Sequence, residues 1–216
     1  MQMHMVRSHA YLKIPAEVNE LKSGDETSAS LTVPRNIAEK VILVTGSHDP
    51  GIDYLSDLAR DAGIHIASSH VGSMGGLFSL QQGFCHLAPM HLLADDGEYN
   101  ILYLKKHFHD EELVLICVGE RIQGIVSRDN LGFEAITTHR FINRQEGSGT
   151  RILLDHLLKQ KKINPASIAG YDEMVLTHPG VCLAVKNGEA DLGLTLYNVA
   201  HAFSLPFVPV DVDRYE

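Results

Sequence analysis

Phe141-Ile142-Asn143-Arg144-Gln145-Glu146-Gly147-Ser148-Gly149-Thr150-Arg151, running on into Ile152-Leu153-Leu154-Asp155, decides how this chain is read. An apolar opening, a turn holding two glycines and an apolar-periodic continuation spell strand, glycine-rich turn and helix start. The first amides of a helix have no partner inside it and lie at the positive end of its dipole. Such a turn captures an anion without a lysine. Gly46-Ser47-His48-Asp49-Pro50 and Gly72-Ser73-Met74-Gly75-Gly76 repeat the logic. Ordinary capping uses the same residue types. Arg144 and Arg151 beside the turn speak for an anion, so both readings stay open for each serine.

Outward from this turn the chain alternates strand and helix. Val41–Thr45 is an apolar run of buried-strand type, and Pro50 opens a helix through Ala62 with Tyr54, Leu55 and Leu58 on one face. Ile64–Ser68 reads as a second strand, a helix follows from Gly72-Ser73 to about Gln82, and Phe84–Ala88 reads as a third strand. Tyr99–Leu104 and Leu113–Val118 are further apolar runs. Past the Gly147–Gln160 helix, Thr177-His178-Pro179-Gly180 leads into a helix through Lys186. Asp191–Leu196 is a strand, Asn198–Phe203 a short helix, and Phe207–Val210 an edge strand because Pro209 cannot donate to a ladder. This order implies an α/β protein with a mostly parallel, doubly wound sheet. Its ligand then sits beyond the carboxyl ends of the strands, where Ser47, Ser73, Ser148 and Tyr197 fall. The first 40 or so residues differ: Ala10–Pro15 and Thr27–Val33 alternate like exposed strands around the turn Lys22-Ser23-Gly24-Asp25-Glu26.

Composition narrows the function. A net charge of −9 and the lack of a basic run argue against nucleic acid. No apolar run approaches the roughly 20 residues of a membrane span, and Met1–Ser8 has no signal-peptide core. Cys85, Cys117 and Cys182 read as buried free thiols, so a cytoplasmic setting is expected. The turn at Gly72 lacks the Gly-Lys-Ser/Thr of a Walker loop, and Gly147-Ser148-Gly149 is not a nucleophile elbow. None of the 13 histidines stands in metal-ligand spacing; His48 and His91 are kept as ligand donors.

From about Val41 to Val210 the chain resembles the periplasmic-binding-protein-like, molybdate/tungstate-binding type of domain found with MoeA-type molybdopterin biosynthesis proteins. The likeness lies in Gly46–Asp49, Gly72–Leu77, His86-Leu87-Ala88 with His91-Leu92-Leu93, Glu98-Tyr99-Asn100, Asn143–Arg151 and Ala190–Leu194. Tyr11–Pro15 and Leu21–Asp25 are similar to the last β domain of MoeA-type molybdopterin molybdenumtransferases. Pro89-Met90 departs from the small polar residue expected near the cleft. The resemblance implies a type II binding-protein fold: two doubly wound lobes with a ligand cleft between them, preceded by a short β segment. Residues 1–37 would be that segment, roughly 38–110 with 197–216 the first lobe, and roughly 111–196 the second.

It also implies a tetrahedral oxyanion, molybdate or tungstate, held by Ser47, Ser73, Ser148, Thr150 and Tyr197, to which the turn itself adds Arg144 and Gly149 and the Gly46–Pro50 segment adds His48. No catalytic residue, protein-bound metal or tight cofactor is expected. A dianion that only accepts hydrogen bonds suits N–H and O–H donors, whereas a protonated phosphate suits a site that also offers an acceptor. The expected function is a cytoplasmic oxyanion-binding domain linked to molybdenum cofactor biosynthesis and partnered with molybdopterin-biosynthesis domains. The alternatives are a working part of the molybdenumtransferase and a regulatory effector domain for another small anion.

Overall fold

The computed structural model describes residues 9–22, 24–109 and 113–216. Met1–Ser8, Ser23 of the expected turn, and residues 110–112 at the expected lobe boundary lie outside the described residues. The chain forms two compact units, one of Met1–Leu43 and Pro50–Ser68, the other of Val44–Asp49 and Ser69–Glu216.

In the first unit, β1 (Ala10–Leu12) pairs antiparallel with β2 (Ala29–Leu31), Tyr11 opposite Ser30. A short helix α1 (Arg35–Ala38) follows Pro34. β3 (Val41–Gly46) and β4 (His65–His70) form a two-stranded sheet, with α2 (Pro50–Asp61) between them in sequence; residues 44–46 and 69–70 of these strands count with the second unit. Of α2, only Ile52 is buried; Tyr54, Leu55 and Leu58 remain exposed.

The second unit is a sheet between helices. Its elements are α3 (Ser73–Gln81), α4 (Ile101–His107), β5 (Gly119–Ser127), β6 (Phe141–Arg144), α5 (Gly149–Lys161), β7 (Met174–Val175), α6 (His178–Asn187), β8 (Leu192–Leu196), α7 (Tyr197–Ala202) and β9 (Phe207–Tyr215). The strands run in the order β7-β6-β8-β5-β9. On one face α5 packs Leu153, Leu154 and Leu158 against Ile125, Phe141, Leu192 and Leu194. On the other, Val181, Cys182 and Val185 of α6, with Val199 and Ala200 of α7, meet Val126, Ile142 and Leu196. Every residue of β6 and β8 is buried, as expected of central strands covered on both faces.

Several expectations need correction. The sheet is mixed: β6 is parallel to β7 and β8, but β5 runs antiparallel to both β8 and β9. β9 ladders with β5 from Gly119–Tyr215 to Val126–Phe207. As Pro209 implied, β9 is an edge strand, and the register shifts beside Pro209, between Gln123 and Gly124. The third strand expected at Phe84–Ala88 is a single parallel bridge, Val44 to Leu87. Thr45 and Ser47 give their amides to Leu87 O and Pro89 O, but Pro89 has no amide to return. Tyr99–Leu104 supplies most of a helix, and Leu113–Val118 has no assigned strand, Val118 N–H donating to Tyr215 O at 2.9 Å. Pro89-Met90 is a strap: Met90 and Glu216 exchange backbone hydrogen bonds of 2.8 and 3.1 Å.

Candidate functional site

β6 ends at Arg144, and the chain reverses through Gly147 at φ 74° before α5 begins. Ser148 caps the helix, its Oγ accepting from Arg151 N at 3.2 Å. The first helical bond is Ile152 N–H to Ser148 O, so the Gly149 and Thr150 amides precede it. The start of α3 is tied to this turn by Met74 N–H donating to Gly147 O at 3.1 Å. Ser73 Oγ accepts from His91 N at 3.2 Å. Ser73 and Ser148 thus each accept an amide hydrogen and keep their own hydroxyl hydrogen to donate.

Beside these helix starts lies a buried charge network. Arg121 gives Nε and Nη2 to the two oxygens of Asp213 at 2.8 and 2.6 Å, and Nη1 to Asp49 at 2.8 Å. Its guanidinium covers the Tyr215 ring at 4.0 Å, and the Tyr215 hydroxyl donates to Ser47 O. Asp213 Oδ2 also takes Gln123 Nε2 at 2.6 Å and His91 Nδ1 at 2.7 Å. The hydrogen bonds to His91 and Arg121 hold the Asp213 carboxyl well below the usual range against the opposing effect of burial. Burial, reinforced by Arg121, lowers His91 to about 4, so its ring is neutral at pH 7.

Arg144 lacks any such carboxylate. It is 2% exposed, gives Nε to Gln145 Oε1 and Nη2 to Leu176 O, and has no partner for Nη1 among the described residues. Burial, with Arg121 nearby, lowers its pKa to about 10, still charged at neutrality. His178 at the start of α6 is pushed well down by burial and by Arg144, Arg121, His91 and His48. Thr150 Oγ1, His178 Nε2 and Gln123 Oε1 are likewise buried without hydrogen-bond partners. Each such group costs roughly 1–3 kcal/mol, more when charged, unless something binds to it.

Of the residues singled out from sequence, Ser47, Ser73, Arg144, Ser148, Gly149 and Thr150 are buried in this unit; hydrogen bonds tie Ser47 to Tyr215, Ser73 to His91 and Met74 to Gly147 beside Ser148, while Arg144 bonds Gln145 and Leu176. His48 packs edge-on against His70 at 4.7 Å and reaches His178 electrostatically. Tyr197 does not join them: half exposed, its ring lies on His201 and Phe207. Sequence reasoning missed Arg121, Gln123, Asp213 and His178. The usable signal was alternation, Arg121 and Gln123 in one strand and Asp211 and Asp213 in its neighbour. Of the cysteines, Cys85 and Cys182 are buried but Cys117 is exposed.

Thr195 Oγ1 lies 3.2 Å from His178 Nδ1, whereas no serine or threonine hydroxyl among the described residues hydrogen-bonds to the His91 ring. Nor do the described residues gather three or more metal-ligating side chains. Surface grooves of about 470 Å³ near Asp53 and Arg60 and about 390 Å³ near Leu102 and Lys159 include none of this cluster. Chemistry, not open volume, marks the site.

Two predictions follow from this geometry. A Cβ on Gly149 would overlap the His91 carbonyl oxygen and lie 2.5 Å from its Nδ1. Gly149→Ala should therefore lower stability by about 1–3 kcal/mol, measured by urea unfolding; an unchanged midpoint would show that the two segments do not touch. Acid should also destabilise the chain. The folded His91 titrates near 4 instead of 6.5, so between those values only the unfolded state takes the proton. Stability is then lost as pH falls through that window, by up to about 3 kcal/mol from this residue. Asp213, depressed in the fold, adds loss in the same direction at lower pH. Urea midpoints that stay level from neutrality down to the usual carboxylate range would contradict the His91 assignment, and midpoints level below that range the Asp213 one.

Residues 55–216 match the family described as the PBP superfamily domain. The uncharacterized protein YvgK of Bacillus subtilis (strain 168) is 35% identical over 153 residues, 67% of this chain and 50% of that protein. The chain thus spans about half the length of this curated relative. Among solved structures, the regulatory domain of Synechocystis PCC6803 CcmR in complex with 2-PG aligns with TM-score 0.56 at 13% identity, over 81% of this chain and 84% of that one. PhnD1 of Prochlorococcus marinus (MIT 9301), in complex with methylphosphonate, aligns with TM-score 0.56 at 13% identity, over 82% and 75%. At such identity the likeness concerns the fold.

Proposed function

The chain belongs to the PBP superfamily domain family, and from that premise we propose that its second unit binds a small oxyanion. The observation that carries the reading is Arg144, a buried cation with an unpaired Nη1 and no carboxylate partner among the described residues. Buried charges are otherwise paired. An anion there would also meet the helix-start amides of Gly149 and Thr150 and the hydroxyls of Ser73, Ser148 and Thr150. Complexes of similar folds with 2-PG and methylphosphonate agree with an anionic ligand. Sulfate, phosphate or molybdate should raise the unfolding midpoint beyond chloride at equal ionic strength. A ligand at a hundred times its Kd adds about 2.7 kcal/mol. Identical midpoints in all four salts would sink the proposal.

A second reading narrows the anion to molybdate or tungstate and places the domain in the cytoplasm beside molybdopterin-biosynthesis domains. It draws on the sequence resemblance and on the hydroxyls of Ser73 and Ser148, each left with a hydrogen to donate. Ser47, His48 and Gly149 would complete that site; Tyr197, half exposed and packed on Phe207, would not.

A further inference from the structure

Two buried groups beside Arg121 each give a hydrogen bond to Asp213 and keep an acceptor atom. Gln123, fully buried, donates Nε2–H to Asp213 Oδ2 at 2.6 Å. A carboxylate has no hydrogen to offer, so turning the amide round would set oxygen against oxygen. Oε1 is thereby held as an acceptor, and no described residue donates to it. His91 is oriented by the same oxygen: with Nδ1 2.7 Å from Asp213 Oδ2, the proton sits on Nδ1 and Nε2 is the ring's acceptor. Arg121 pins Asp213 with two bonds. One buried carboxylate therefore sets the polarity of both neighbours.

These acceptors border the donors. The His91 ring and carbonyl abut Gly149, one residue before Thr150, and His91 lies within the field of Arg144. Its amide is bonded to Ser73 Oγ, and Gln123 Nε2 is 3.4 Å from its Nδ1.

We infer that this site selects an anion carrying a hydrogen-bond donor of its own, and that Gln123 is the specificity residue that reads the donor. Hydrogen phosphate and singly protonated phosphonates have such a group; sulfate, molybdate and tungstate at neutral pH do not. The inference rests on the anion-binding reading above and chooses among the anions it leaves open. An anion without the donor would leave Gln123 Oε1 unpaired and facing another oxygen, a penalty of roughly 10- to 100-fold in affinity.

The test is calorimetry on the whole chain with phosphate, methylphosphonate, sulfate and molybdate. Phosphate should bind at least about 10-fold more tightly than sulfate or molybdate at neutral pH. Methylphosphonate should weaken by a similar factor between about pH 6 and pH 9, as it loses its last proton. Sulfate, with no proton to lose, controls for Asp49, Asp213, Arg121, Arg144, His48, His91 and His178, and should hold steady. Gln123→Met should bring phosphate and sulfate within about 3-fold of each other while still binding sulfate. Sulfate or molybdate binding as tightly as phosphate to the wild type, or a methylphosphonate affinity that ignores pH, would overturn the inference and leave the anion site standing. Should none of the four anions bind, the anion site falls and this inference with it. The pH series needs no variant, so a poorly folding Gln123→Met would not shield the proposal.

Discussion

Replacing Arg144 with methionine should abolish anion binding and, in the same protein, raise the stability of the ligand-free fold. The guanidinium is 2% exposed, and burial lowers its pKa to about 10, a measure of how poorly the surroundings hold the charge. Gln145 Oε1 at 3.3 Å and Leu176 O at 3.0 Å satisfy Nε and Nη2, while Nη1 has no partner among the described residues. Methionine fills much of that volume without a charge to desolvate. Exchanging buried ionic groups for apolar ones of similar size stabilises proteins by about 1–4 kcal/mol. The anion, conversely, would lose its charged partner, and charge-assisted hydrogen bonds of about 1.5–3 kcal/mol apiece imply a loss of 100-fold or more. Urea unfolding in chloride reads the first effect and calorimetry the second. A structural arginine would behave oppositely, with Arg144→Met destabilised.

Asp213→Asn should do the reverse and lower stability by about 3–5 kcal/mol. Asp213 is fully buried and takes two bonds from Arg121, one from Gln123 and one from His91. An amide in its place offers a single acceptor oxygen and turns N–H groups toward donors. Arg121 would keep only Asp49. The two substitutions, close together in one unit, thus carry opposite signs because one charge is paired within the protein and the other is not. A shift in the same direction for both, measured in the same denaturant, would mean that the network has been misread.

The turn from β6 to α5 was legible because local chemistry specifies it: apolar Phe141 and Ile142, then Gly147 at positive φ, then Ser148 as cap. The edge position of β9 was legible for the same kind of reason, through Pro209. β5 was not. Gly119-Glu120-Arg121-Ile122-Gln123 looks like polar surface until Arg121 is set opposite Asp213, 92 residues away in sequence, in the β5–β9 ladder. A charge neutralised across strands has no one-dimensional signature. Tyr99–Leu104 illustrates the other limit, since a short apolar run fits strand and helix alike. Here Asn100 decides: at φ 63° it accepts Leu92 N–H and donates to Glu216, turning the chain into α4. The donors of the candidate site were visible in the serine-bearing turns; its acceptors depend on Asp213 and were not. Tyr197 was placed mainly by strand-end position, and in the fold its ring packs on Phe207.

The central claim is that Arg144 is held in the fold for an anion. Calorimetric titration of the wild-type chain and of Arg144→Met, each with molybdate, tungstate, sulfate and phosphate, tests it most directly. Saturable heat with at least one anion in the wild type, and none with that anion in Arg144→Met, is the predicted result. Equal affinity in both proteins, or no heat from any anion with the wild type, would contradict it.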